Sequence, residues 1–137
     1  MSLLIKNAVI VNADKMHKEP QDILIDNGSI VKIGKNISSD AAKVIDAKGK
    51  LVMPGLIDMH IHLREPGRED KETIETGSKA AAKGGFTTVL CMPNTTPVID
   101  NAMIVEAILK EARRVGLVNV IPVGAITRGQ NGKELTD

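Results

Sequence analysis

One stretch constrains this chain more than any other: Leu56-Ile-Asp-Met-His-Ile-His-Leu63, set between Pro54-Gly55 and Glu65-Pro66-Gly67. Asp58, His60, His62 and Arg64 share one parity, and Ile57, Met59, Ile61 and Leu63 share the other. Successive side chains of a strand point to opposite faces. The expected strand therefore has one polar, metal-competent face and one aliphatic face. Two histidines and an aspartate make an odd solvent face. A parallel barrel accounts for the pattern better: aliphatic residues pack outward on helices, polar ones line the axis, and function gathers at the C-terminal strand ends. The break at Glu65-Pro66-Gly67 falls where such a strand ends.

From Pro54 onward the pattern alternates between strand and helix, the mark of βα units on a parallel sheet. Strand one is expected at Leu56–His62 and a helix at Asp70–Lys83, with acidic residues early and Gly84-Gly85 at its stop. Strand two follows at Phe86–Met92. A second helix is capped by Asp100 or Asn101 and ends near Val115-Gly116, with Ile104, Ala107, Ile108, Ala112 and Val115 at helical spacing. Strand three is Leu117–Val123, and the polar tail from Thr127 reads as a loop with a third helix starting at its end. Upstream, residues 1–53 read as a small β-module. Its runs are Leu3–Lys6, Ala8–Val11, Val44-Ile45 and Leu51–Met53, with a hairpin turning on Asn27-Gly28. His17 lies in a polar loop of this module and is expected to be solvated.

Bulk properties narrow the function classes. Lys plus Arg is 18 and Asp plus Glu is 17, so charge gives no case for nucleic acid or membrane binding. Phe86 is the sole aromatic residue, which leaves an aliphatic core and no platform for stacking bases. The one cysteine, Cys91, fits a reducing, cytoplasmic setting and reads as a small core hydrophobe. No apolar run reaches membrane-spanning length.

Two imidazoles two residues apart on a strand can share one divalent metal. Zinc takes neutral histidine nitrogens, and a catalytic site keeps a position open for water. His60 and His62 are the expected ligands. Asp58 either orients a ligand or is a capped structural carboxylate. Arg64, just beyond, carries a planar guanidinium suited to a bidentate grip on a carboxylate.

Pro54-Gly-Leu-Ile-Asp-Met-His-Ile-His-Leu-Arg-Glu-Pro-Gly67 resembles the metal-site signature of the amidohydrolase superfamily, most closely that of bacterial dihydroorotases. Gly84-Gly-Phe-Thr-Thr-Val-Leu-Cys-Met-Pro-Asn-Thr-Thr-Pro97 is similar to that family's second strand and substrate loop. The resemblance implies an α/β fold: the N-terminal part of a (β/α)8 metal-dependent hydrolase barrel (residues 54–137), preceded by a partial β-sandwich module (residues 1–53). It implies reversible hydrolysis of L-dihydroorotate to N-carbamoyl-L-aspartate in pyrimidine biosynthesis. It also implies two zinc ions per full-length subunit, bridged by a carboxylated lysine or an aspartate, with the catalytic aspartate and further ligands beyond residue 137. Lys133 sits in a polar loop too soon after strand three to be that bridge. In the resembled family the residues matching Arg64 and Asn94 hold the substrate's carboxylate, and related allantoinases usually carry a different residue at the arginine.

A homo-oligomer and an association with aspartate carbamoyltransferase are further partners that the resemblance allows. Competing readings are another cyclic amidohydrolase, such as allantoinase or dihydropyrimidinase, or a non-catalytic homologue that scaffolds a carbamoyltransferase. The 84 residues from Pro54 to Asp137 supply three strands, whereas a full barrel takes about 250 residues. The chain is therefore expected to be the front of a longer protein, inactive alone, with an open sheet and exposed histidines.

Overall fold

The computed structural model describes residues 2–13, 16 and 19–136, so His17 lies outside the described residues. The chain forms two compact units, Met1–Pro54 and Gly55–Asp137.

The first unit is one mixed sheet. β1 (Ser2–Ile10) is its centre, where sequence spacing predicts two separate runs. The break between those runs survives as an irregularity at Lys6-Asn7, with Asn7 at φ 59°. β2 (Gln21–Asp26) pairs antiparallel with β1, and β3 (Ser29–Gly34) with β2. The hairpin between β2 and β3 turns on Asn27 and Gly28 at φ 47° and 79°, the left-handed pair that a two-residue turn of this twist requires. β4 (Lys43–Asp46) and β5 (Leu51–Val52) both run parallel to β1. Ala8, Ile10, Ile23 and Ala47 form its buried centre. Buried Asp22 accepts the backbone N–H groups of Asn7 at 3.0 Å and Ile37 at 2.9 Å, so its charge is satisfied by two donors.

The second unit is a three-stranded parallel sheet, β6 (Leu56–Ile61), β7 (Phe86–Cys91) and β8 (Asn119–Pro122), in that order. Helix α1 (Ile74–Lys83) joins the first pair and α2 (Ala102–Val115) the second. α1 begins four residues later than sequence spacing predicts. Thr73 closes a capping box: its side chain accepts the Thr76 N–H at 3.0 Å, while its own N–H donates to the Thr76 hydroxyl at 3.0 Å. Residues 70–72 are left as a turn. α2 starts at Asn101, whose side chain accepts the Ile104 N–H at 3.2 Å, and stops at Gly116 in the left-handed region.

Both helices contribute to one core: Ile74 of α1 and Ile108 and Ala112 of α2 meet Val89, Cys91 and Val120 of the sheet, with Leu63 and Ile99 filling in. Burial pushes the Cys91 thiol above its ordinary range, in keeping with a packing role. On the sheet's other residues, Ile57, Met59 and Ile121 are exposed. After β8 the chain makes a single 3-10 turn at Arg128–Gln130 and a bridge between Thr127 and Leu135, and no α-helix begins among the described residues there. No described helix is long and apolar enough to cross a membrane.

Candidate metal and substrate site

The histidine-bearing strand does not keep the simple alternation read from its sequence. Leu56 pairs with Phe86, Ile57 with Thr88, Asp58 with Val89 and Ile61 with Cys91. β7 has one extra residue, Thr87, at the first step, and β6 has one extra at the second, where Met59 and His60 face the single Leu90. The two bulges cancel, but the stretch between them is displaced by one residue, which exchanges its faces. Asp58 therefore lies level with buried Val89 and borders a hollow of about 290 Å³ beside Gly77 and Ala80 of α1, whose rim His62 also reaches. Ile57 and Met59 are exposed at 62% and 71%, while Ile61 and Leu63 pack on the helix-side core. The expectation of one polar face running from Asp58 to Arg64 is corrected on this point. Asp58 Oδ1 accepts the His60 N–H at 3.0 Å, so the carboxylate caps the bulge.

Beyond the bulge the chain brings three of the four expected site residues into one cluster. The rings of His60 and His62 lie edge to face, 5.4 Å between centres. His60 is exposed and His62 half-buried. Asn94, in the loop after β7, has Oδ1 2.9 Å from His62 Nδ1. Arg64 follows two residues after His62, half-buried and at φ 61°, so the chain turns at this residue. Among the described residues its guanidinium forms no ion pair.

Residues that sequence reasoning missed hold this cluster in place. Glu65 Oε2 accepts the N–H of Ile74 at 2.7 Å, tying the loop after β6 to the first turn of α1. The Thr96 N–H donates to Pro66 O at 3.0 Å and the Met92 N–H to Ile61 O at 2.9 Å, so the two site loops are stitched together. Gly67, at φ 96°, sits where an added Cβ would come 1.9 Å from Thr96 O. Buried Thr95 donates its hydroxyl to Pro97 O at 2.7 Å. Only the Pro66-Gly67 and Pro93…Pro97 turn signals hinted at these contacts; a cross-loop backbone bond leaves no local sequence mark.

The donor set suits a metal in part. Two imidazoles on one tetrahedral zinc, each bound at about 2.1 Å, place their ring centres about 5 Å apart. The observed spacing matches this. Among the described residues no group of three or more His, Cys, Asp or Glu side chains converges, so these two histidines supply two of the three ligands a catalytic zinc needs.

Residues 49–137 match the family described as Dihydro-orotase-like. A dihydroorotase of Aquifex aeolicus is 50% identical over 137 residues, covering 100% of this chain and 32% of that protein. A dihydroorotase of Pelotomaculum thermopropionicum is 53% identical over 137 residues, again covering 100% of this chain and 32% of the relative. Among solved structures, the L-hydantoinase (dihydropyrimidinase) from Arthrobacter aurescens superposes with a TM-score of 0.77 at 30% identity, over 91% of this chain and 28% of that one. A D-hydantoinase superposes with a TM-score of 0.68 at 31% identity, over 94% of this chain and 29% of that one. The chain thus spans about a third of the length of the curated relatives it matches, 32% in both cases. With a family match across the whole βα region that carries His60, His62, Arg64 and Asn94, the chain belongs to the dihydroorotase-like family.

Proposed function

We propose that this chain is the metal-holding and substrate-gripping front of a cytoplasmic dihydroorotase, which interconverts L-dihydroorotate and N-carbamoyl-L-aspartate. The observation that carries the reading is the cluster itself: paired imidazoles 5.4 Å apart, with Asn94 on one of them and Arg64 two residues on. His60 and His62 hold zinc. When bound, the metal polarises the ring amide carbonyl and acidifies a water. Arg64 receives the substrate's carboxylate with its fork of donors, and Asn94 adds its amide N–H groups from the neighbouring loop. Together they fix the ring amide's orientation toward the histidines. The remaining ligands and the proton-shuttling aspartate come from the rest of the protein.

Two features support a closed barrel in the whole protein. The three strands are parallel, and both connecting helices pack in one core with them. The exposed Ile57 and Ile121 are bulky branched residues of the kind that fill a barrel interior, and the flexible Met59 beside them is a gap-filler. In the first unit, exposed Ile33 and Ile45, which share one sheet face through Ile23 and Ile5, support a second layer, as in a sandwich.

The test uses the whole protein that carries this chain. His60→Ala with His62→Ala is expected to abolish zinc retention and turnover, and stoichiometric zinc in that variant would overturn the metal assignment. Arg64→Met is expected to keep zinc while losing about 30- to 1000-fold in kcat/KM for dihydroorotate. A second reading, a hydantoinase-type cyclic amide hydrolase, is favoured by the superposition on the Arthrobacter aurescens enzyme. Parallel assays on dihydroorotate, dihydrouracil and allantoin separate the two.

A further inference from the structure

We infer that Asn94 is a positioning residue for His62 as well as a substrate contact, and that it divides its amide between the two. The inference rests on the reading above, in which His60 and His62 hold a metal.

The geometry starts at Oδ1, 2.9 Å from His62 Nδ1. An amide carbonyl oxygen only accepts, so Nδ1 carries the hydrogen. A neutral imidazole with hydrogen on Nδ1 has its lone pair on Nε2. The contact therefore selects the tautomer and the ring rotation that leave Nε2 open for a metal, before any metal arrives. An isolated hydrogen bond near solvent would select little. This one is backed by a fixed loop. On one side of Asn94, the Met92 N–H donates to Ile61 O at 2.9 Å, within the strand that carries the histidines. On the other, the Thr96 N–H donates to Pro66 O at 3.0 Å, in the turn after it. Thr95 is buried and bonded to Pro97 O, and the Ile99 N–H donates to Pro93 O at 3.1 Å. Asn94 is thus held by backbone bonded to the same strand end as His62.

The amide is asymmetric in use. With Oδ1 committed to His62, the two Nδ2 hydrogens remain for the substrate side. Those hydrogens favour an acceptor, and a carboxylate is the acceptor that gains most from them. A carboxylate, the amide and the imidazole then form one hydrogen-bonded chain leading to the metal ligand, and each link polarises the next.

Aspartate separates the two jobs, because it keeps an oxygen for His62 and loses the donors. In the whole protein, zinc affinity is measured by chelator competition with zinc alone, beside KM for dihydroorotate and the nitrogen-15 shifts of the His62 ring in the metal-free form. Asn94→Ala is expected to weaken zinc binding about 10- to 100-fold and to mix the His62 tautomers. Asn94→Asp is expected to hold zinc within about 3-fold of the parent and to keep the Nδ1–H tautomer, while its KM rises because carboxylate then faces carboxylate. Parent-like zinc affinity in Asn94→Ala overturns the inference. So does loss of zinc in a folded Asn94→Asp, which needs no second variant to be decisive. If the double histidine variant also keeps its zinc, the metal assignment itself has failed. If that variant loses zinc while Asn94→Ala keeps it, only the positioning role has.

Discussion

β7 makes two ladders, and they differ. Toward β8 it is regular: Thr88, Val89, Leu90 and Cys91 pair in step with Asn119, Val120, Ile121 and Pro122. Toward β6 the register slips twice within six residues and recovers. β7 is common to both ladders, so the irregularity lies in its pairing with the strand that carries the histidines. The regular ladder has only to bury Val89 and Val120 under the helices. The irregular one must also place Asp58 where it can accept the His60 N–H, and deliver His62 to Asn94. Bulges re-aim side chains next to functional sites at the cost of ladder bonds. Here the lost regularity is offset beyond the strand ends, by bonds between the two site loops.

The sharpest way to break the contrast is at those offsetting bonds. Gly67 lies past the irregular ladder, at φ 96° and with Thr96 O in the place of a Cβ. Gly67→Ala combines a conformation that L residues rarely adopt with a backbone clash. The expected loss is about 2–5 kcal/mol in the whole protein, read from denaturant midpoints. Gly124, after the regular ladder, has open space around its Cβ direction, and Gly124→Ala is the matched control. Equal losses at the two glycines would mean that the stitched loops do not support the histidine end.

Local punctuation was readable from the sequence, and contacts between distant residues were not. Punctuation with a local cause was legible: the Asn27-Gly28 turn, a cap at Asp100 or Asn101 that falls on Asn101, the stop at Gly116, and the order strand, helix, strand, helix, strand. Each is set by residues within four or five positions of itself. The start of α1 was misplaced because Thr73 and Thr76 form the capping box without the glutamate or glutamine that usually marks one. The face of Asp58 was misread because strict alternation assumes an unbroken register, and paired bulges that cancel leave both strand lengths unchanged. Asn94 was assigned to substrate from resemblance alone; its bond to His62 joins residues 32 apart and has no periodic signature.

A smaller effect is expected at the bulge itself. Asp58→Ala leaves the His60 N–H without its acceptor, a loss of about 1 kcal/mol for a hydrogen bond of this kind. Asp58→Asn keeps an oxygen there and is expected to fall within about 0.5 kcal/mol of the parent. Both variants remove the negative charge, and they differ in whether an acceptor oxygen remains for the His60 N–H. If both are destabilised alike, the negative charge rather than the cap holds the bulge.

The smallest expected effect lies on the regular side, after β8. Asp100 Oδ2 accepts the Gly129 N–H at 2.8 Å, and Asn101 donates its amide to Oδ1 at 3.0 Å. The Gly129 N–H, above all, holds the Asp100 carboxyl below its ordinary value. A carboxylate whose folded pKa is depressed contributes fully above its unfolded pKa of about 3.9 and loses that contribution as pH falls through the folded value. Between pH 8 and pH 5 nothing should change. In more acid solution the Gly129 amide proton should shift upfield and exchange faster, with a midpoint below about 3.9. Spectra of protein labelled with nitrogen-15 glycine would show it, and Asp100→Asn should remove the titration. The Ala125 N–H, bonded to Ile99 O at 2.7 Å, has no titrating partner, so the segment stays tethered to the loop before α2 and the change remains local. A midpoint at or above the ordinary aspartate value would mean that Gly129 does not bond the ionised carboxylate in solution.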